Sequence, residues 1–575
     1  MKKTKLIIII LMGIFIFSPY HLRADNYDNL KEIFNKSYGS ENDEELEDVI
    51  ETKDGNFLAV GMTSGEFEPG LTNQHNKGYV IKVDQQGNKI WEKQYIFTPL
   101  SDPNNTTFFT SVATAADDGF IIAGHYCDNS YTANSDSVVL KIDKDGNLLW
   151  QKYFNSNDNG SADDILYDIS ITNDGNYLLA GRTTGTLDGN VNLGASDGWI
   201  LKIDKDGNEI FSKQYGTKNS DTLRAIKEDS FGNYVAVGQS PMDSKGITSD
   251  GWILKIDKDG NEIFSQSIGT TKNERFNDLL IDDDSVVIVG YTSAQLPGET
   301  YYGDQDVWVL KLDNDNNIIF SKQYGGSGFE YGESITKIND SDYAIVGITD
   351  SNDFNEETVT LPVGFLLIVD NDGEPIKVNT YGNASDAHHD IFKSVITTKY
   401  NDLVMVGIYE RTVDDNDKGN AWLFSVGFRY QLTLNSNEGK SDIDKISTKY
   451  HEELTLPNST FTREGYQLIG WATSLENANN LVVEYQTAYL QSDKEDHVLY
   501  AVWQKVDSND DNNNDNNNDN NDDKTNDNSK EENKKENDQK GEENKKLPNG
   551  GIDNCLLLFS MLGLSINIYY YCKFN

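Results

Sequence analysis

Cysteine is nearly absent. The chain has 575 residues and only Cys127, Cys555 and Cys572. One internal thiol and two near the C-terminus cannot form a disulfide framework, so burial must hold the fold. Histidine is also scarce: the seven are His21, His75, His125, His388, His389, His451 and His497. Only His388 and His389, beside Asp386 and Asp390, are clustered, and neighbours on a strand point to opposite faces, which argues against a shared metal unless the stretch is a loop. Basic charge is short as well. Acids outnumber bases 94 to 49, a net charge of -45, and the segment Asp507–Lys546 accounts for only 14 acids and 7 lysines of this. The folded parts therefore carry an acidic surface, which repels nucleic acid and anionic lipid.

No nucleophile elbow, HExxH helix or phosphate loop occurs. Carboxylates are so numerous that pairing two of them for glycoside chemistry from sequence has no basis. No catalytic residue is assigned, and enzymatic activity is left open with the balance against it.

What the chain has is repetition. KIDKDGNEIFSKQYG (Lys202–Gly216) returns as KIDKDGNEIFSQSIG (Lys255–Gly269), with 12 of 15 positions the same. The ID-x-DGN phrase also occurs at 83–88, 142–147, 203–208 and 256–261, with weaker copies at 312–317 and 369–374. A second phrase precedes each copy: a turn, then an apolar run ending at Gly61, Gly124, Gly181, Gly238, Gly290, Gly347 and Gly407, spaced by 63, 57, 57, 52, 57 and 60 residues. The runs are short, rich in β-branched and aromatic residues, and bounded by Asp, Asn and Gly, which predicts strands. Each unit offers four, including a weak one near Asp221–Ile226. Four strands per unit of this length predict propeller blades.

The seventh unit lacks its fourth strand, and Ile33–Gly39 is an orphan copy of Ile210–Gly216. The predicted fold class is therefore all-β: a seven-bladed β-propeller of about 57 residues per blade over residues 25–428, its N-terminal strand closing the last blade. The alternative is an open array of small sheets. Trp199, Trp252, Trp308 and Trp422 share one repeat position and Trp91 and Trp150 another. Aromatics at repeated positions predict blade-to-blade packing.

The acidic turns admit two readings. Asp204, Asp206 and Asn208 begin like a calcium loop, but Gly207 comes three residues after Asp204 and no Glu closes the loop. The turn at Asp259 has the same fault. Plain turn chemistry is favoured, with calcium as the weaker reading; no other cofactor and no metal ligand is assigned. Integrin-type propellers place calcium on such hairpins, but the resemblance is partial. Ser196–Trp199 lacks the Asp-box pattern of sialidase propellers, and Asp84–Trp91 is similar in outline to quinoprotein propellers.

After Phe428 the pattern changes. Tyr430–Leu434, Leu456-Pro457, Arg463–Tyr466, Gly470-Trp471 and Leu499–Trp503 come in the order of the internalin B-repeat, or Listeria–Bacteroides repeat, which the segment 429–504 resembles. Trp471-Ala472 stands where that family has Trp-Tyr. The resemblance implies a small β-grasp-like module of bacterial surface proteins, serving as a stalk or interaction unit.

The ends read as addresses. Residues 1–24 have a basic start, an apolar run and Ala24 as a cleavage point, the layout of a secretory signal peptide; an uncleaved anchor is the alternative. Residues 505–546 are an Asn/Asp/Lys/Glu spacer too polar to fold. Residues 547–575 contain Leu547, Pro548, Asn549, Gly550 and Gly551, then an apolar run. This resembles an LPxTG cell-wall sorting signal, with Gly550 in place of the threonine. It implies a sortase as partner, or else a C-terminal membrane anchor. The order predicts an extracellular protein tethered to wall or membrane. It would bind a surface glycan or protein through propeller loops such as 65–78 and 349–362. A polysaccharide hydrolase or lyase and a passive envelope component are the alternatives.

Overall fold

The computed structural model describes residues 27, 30–39, 42–66, 76–97, 106–127, 135–156, 162–241, 248–338, 341–354, 362–382, 388–412, 419–449, 452–491 and 495–506. The cleavage point Ala24, the sorting-like residues 547–551 and most of the two named loops (67–75 and 355–361) lie outside them.

Seven four-stranded antiparallel sheets follow one another along the chain. Blade 1 runs from strand Glu44–Glu51 to Lys89–Tyr95, blade 2 from Thr106–Thr114 to Leu148–Phe154, and blade 3 from Asp164–Ile171 to Glu209–Tyr215. Blade 4 runs from Thr222–Glu228 to Glu262–Ile268, blade 5 from Glu274–Asp282 to Ile318–Tyr324, and blade 6 from Glu330–Ile338 to Pro375–Tyr381. Blade 7 comprises His388–Thr397, Leu403–Thr412 and Asn420–Phe428, and its outer strand is the N-terminal Leu30–Tyr38. The expected closure is present: Tyr38 pairs with Ala421 and Leu30 with Phe428. The ring is continuous because each neighbouring pair of sheets shares a buried core. The last of these joins Val404, Val406, Ala421 and Leu423 of blade 7 to Leu46, Ala59, Tyr79 and Ile81 of blade 1. The fold is a seven-bladed β-propeller.

The repeated phrase makes this ring by gripping its next copy. Tyr215 donates to the carbonyl of Gly260 at 2.7 Å, Tyr95 to Gly146 at 2.7 Å, Tyr324 to Gly373 at 2.6 Å and Tyr38 to Gly87 at 2.6 Å. Glycine is required there twice over. Its φ is +78° at Gly146, and a Cβ at that position would stand 3.0 Å from the Trp91 ring of the preceding blade. The lysine that opens the phrase is buried and ties the two hairpins of its own blade. Lys82 meets Asp54 at 2.8 Å, Lys141 meets Asp117 at 2.7 Å, Lys202 meets Asp174 at 2.8 Å and Lys255 meets Asp229 at 2.8 Å.

Trp199, Trp252, Trp308 and Trp422 are buried in the inter-blade cores, as expected from their spacing. The first three donate their indole N–H to Ser212, Ser265 and Ser321 at 2.9, 3.0 and 2.9 Å. Trp422 uses Asn35 of the closing strand at 2.9 Å.

After Phe428 a mixed sheet forms, with Tyr430–Asn435 parallel to His497–Lys505 and one short helix, Leu475–Asn479. Trp471 and Trp503 are buried in its core, their N–H groups on Asn458 Oδ1 at 2.7 Å and the Ser436 carbonyl at 2.8 Å. Among the described residues no helix is long and apolar enough to cross a membrane.

Candidate functional site: the central channel

The innermost strand of every blade carries a β-bulge at the same place. The register shifts between Leu46 and Asp48, and at the matching positions in the other six blades. A bulge leaves one residue unpaired and re-aims its side chain. The seven bulged residues are Glu47, Thr110, Tyr167, Arg224, Asn277, Glu333 and Lys393, and all line one cavity of about 380 Å³ on the ring axis. Sequence reasoning missed this ring. Apart from Glu in blades 1 and 6 the bulged residue changes from blade to blade, so repetition gives no signal there.

The position after the bulge does repeat. It reads Asp48, Ser111, Asp168, Ala225, Asp278, Ser334 and Ser394, each followed by Val, Ile or Leu. These side chains reach across to the next blade. Asp48 Oδ2 accepts from Ser111 Oγ and Val112 N, both at 2.9 Å. Ser111 Oγ accepts from Ile169 N at 3.3 Å, and Asp168 Oδ2 from Ile226 N at 2.8 Å. Asp278 Oδ2 accepts from Ser334 Oγ at 2.9 Å and Ile335 N at 3.1 Å. Ser334 Oγ accepts from Val395 N at 3.3 Å, and Ser394 donates to Asp48 Oδ1 at 2.8 Å. The belt is broken at Ala225, where Leu279 N turns to its neighbour Asp278 Oδ1 at 2.8 Å.

Burial and the charge of Asp168 push Asp48 up to about 6, against the pull of its N–H and hydroxyl donors. Burial likewise raises Asp278. Lys227 stands among these acids, 2.8 Å from Asp168 Oδ2. Against the cost of burial, the charges of Asp168, Asp278 and Asp48 hold it above its ordinary value. The channel therefore does gather carboxylates: the oxygens of Asp48, Asp168 and Asp278 are taken up in blade-to-blade bonds, while Glu47 and Glu333 line the cavity as bulged residues. Both oxygens of Asp48 are occupied, since Val49 N also donates to Oδ1 at 2.8 Å. No histidine lines the cavity.

The residues singled out for metal chemistry sit elsewhere. In the DKDGN turns the first Asp caps its own turn. Asp204 Oδ1 accepts from Asp206 N at 2.9 Å and Asn208 N at 2.8 Å, and Asn208 Nδ2 donates to Oδ2 at 2.9 Å. Asp257 does the same in blade 4. His388 and His389 open a strand, in register with Thr412 and Arg411. Among the described residues no group of three or more His, Cys, Asp or Glu is placed to hold a metal ion.

Comparison with known proteins bears on the second module. Residues 430–502 match the Listeria-Bacteroides repeat domain. A stretch of 180 residues is 26% identical to the regulatory protein FlaEY of Caulobacter vibrioides, covering 28% of this chain and 18% of that protein. Among solved structures, a Dyadobacter fermentans protein of unknown function aligns with a TM-score of 0.38 and 12% identity, over 56% of this chain and 95% of its own. The Synechocystis apocarotenoid oxygenase aligns with a TM-score of 0.34 and 13% identity, over 60% and 73%.

Proposed function

We propose that the protein is a tethered extracellular bacterial binding protein whose propeller presents its long loops to a glycan or protein. One observation carries this reading: the repeat domain is seated on the tight-turn side of the ring. Arg429 Nη1 lies 2.7 Å from Asp402 Oδ1 and Lys449 Nζ 3.2 Å from Asp402 Oδ2, and Asp402 belongs to the first hairpin turn of blade 7. The last strand, His497–Lys505, is parallel to Tyr430–Asn435 and so heads away from the ring. The side of the ring that carries the long loops is thus the one opposite the repeat domain. The secretory start and the sorting-like end fit this order, with a sortase or the membrane as the holding partner.

The engaged state of the belt carboxylates Asp48, Asp168 and Asp278 supports binding over hydrolysis, because a general acid and base need free, positioned oxygens. The test is a screen of the full-length protein against glycans, matrix proteins and wall fragments, with calcium and with chelator. A saturable, competable hit supports the reading. Turnover of a polysaccharide without retained binding would replace it with the enzyme reading.

A further inference from the structure

Arginine is rare in this chain, with seven residues: 23, 182, 224, 275, 411, 429 and 463. Three of them, Arg182, Arg224 and Arg275, come from consecutive blades 3, 4 and 5 and gather on the long-loop side of the bulge ring. The register explains the placement. Arg224 is itself a bulged residue. Arg275 precedes the bulged Asn277 by two residues and so shares its side of the strand, and Arg182 is paired with Ile165, which bears the same relation to Tyr167. Arg224 stacks over the Tyr167 ring at 4.7 Å and Arg275 over the Tyr291 ring at 5.0 Å. Tyr331 meets Tyr291 edge-on at 4.8 Å. Ring contacts thus join blade 3 to blade 4 at Tyr167–Arg224 and blade 5 to blade 6 at Tyr291–Tyr331.

These guanidiniums are not spent on the fold. The Nε of Arg182, Arg224 and Arg275 is buried with no hydrogen-bond partner among the described residues. Arg224 and Arg275 form no ion pair there either, while Arg182 makes a long ion pair with Asp163 at 3.7 Å. Two half-buried cations without an acidic partner among the described residues, in a protein of net charge -45, are a cost without a structural return. Burial, and then the charges of Arg275 and Arg182, push Arg224 below its usual value.

From this geometry we propose an anion-binding site at the loop-side mouth of the channel, built by Arg182, Arg224 and Arg275 and specific for the carboxylate of a sugar acid. The planar forks match a carboxylate in two-point contact. The tyrosine rings and the polar bulged residues Thr110, Asn277 and Glu333 supply faces and partners for a sugar ring and its hydroxyls. The cavity of about 380 Å³ suits one residue of that size. The overall acidic field disfavours a long polyanion, so a single charged sugar is the fitting unit. The inference rests on the propeller being a binding module.

The experiment is calorimetric titration of the full-length protein with D-glucuronate, D-glucose and sodium sulfate. Glucuronate is expected to saturate and glucose not to bind. Arg224→Gln and Arg275→Gln should each weaken glucuronate by about tenfold or more, while Arg463→Gln in the repeat domain leaves it unchanged. Since each guanidinium has only its ring contact and no hydrogen-bond or ion-pair partner among the described residues, both variants should melt close to the wild type; if one does not, Arg224→Lys keeps the charge, loses the fork, and should still weaken binding. No saturable glucuronate binding, binding indifferent to both substitutions, or sulfate binding as well as glucuronate would each overturn the site as assigned. A partner found in the wider screen that ignores Arg224→Gln would leave the binding function standing and remove this site.

Discussion

The Tyr215 hydroxyl of blade 3 donates to the Gly260 carbonyl of blade 4 over 2.7 Å. This bond joins the last strand of one copy of the repeated phrase to the turn of the next, and it is buried. Tyr215→Phe leaves that carbonyl without its donor and should cost about 1–2 kcal/mol in urea unfolding. Blade 2 has Phe154 at this position. Phe154→Tyr, facing the Gly207 turn, should recover part of such a bond and raise the midpoint. An unchanged midpoint in both variants would mean the phrase is not the latch between blades.

This latch shows what a sequence with internal repeats exposes and what it hides. Seven copies of the Gly61-type phrase and six of the KID-type phrase place the strands, and the orphan Ile33–Gly39 places the closure, because scaffold contacts recur blade after blade. The tryptophans follow the same logic. The channel follows the opposite one: Glu47, Thr110, Tyr167, Arg224, Asn277, Glu333 and Lys393 occupy one structural position with six different side chains, Glu alone occurring twice. The innermost strands are polar and read weakly, and a bulge shifts their register by one, which breaks simple alternation. The alternating Asp and Ser of the belt, each before an apolar residue, was the one trace available. The repeat-domain landmarks were legible because Trp471 and Trp503 are core residues with fixed partners.

Lys202 is the second test of the scaffold. Its Nζ lies 2.8 Å from Asp174 Oδ2 in its own blade and 2.8 Å from the Tyr234 hydroxyl in the next. Against burial, that hydrogen bond holds Asp174 well below the usual carboxylate range. Lys202→Met keeps the stem and removes the charge. Asp174 is half exposed and can turn to water, so the expected cost is about 1–2 kcal/mol rather than that of an enclosed pair. Carboxyl NMR should show the Asp174 titration moving up toward its ordinary position. A titration that stays put would place the cause in the turn itself, through Thr172 and Asn176.

The belt around the channel gives a pH signature. Asp48 titrates at about 6 when folded and near 3.8 as a free side chain. A folded value above the unfolded one means the native state holds the proton more tightly between these two values. The contribution of Asp48 to stability is therefore greatest below about 4 and falls as pH rises through 6. Asp48→Asn has no such titration. The stability of the wild type relative to Asp48→Asn should be larger at pH 4.5 than at pH 7.5, measured by chemical unfolding at both. A difference of the opposite sign would show that the donors Ser111, Val112 and Ser394 outweigh burial.

The joint between the modules turns on Asp402, which receives Arg429 at 2.7 Å and Lys449 at 3.2 Å and is almost fully buried. Two cations on one buried carboxylate act as a unit, so removing the acid strands both. The rest of the joint is apolar: Tyr430 packs in the core that contains Phe424, Phe428 and Tyr27. Asp402→Asn should thus loosen the joint without melting the ring. Limited proteolysis near residues 428–430 should accelerate, and small-angle scattering should report a wider distribution of the two modules, while the main unfolding transition keeps its place. Tyr430→Ala separates the two contributions. If Asp402→Asn changes nothing and Tyr430→Ala opens the joint, packing around Tyr430 alone seats the repeat domain against blade 7.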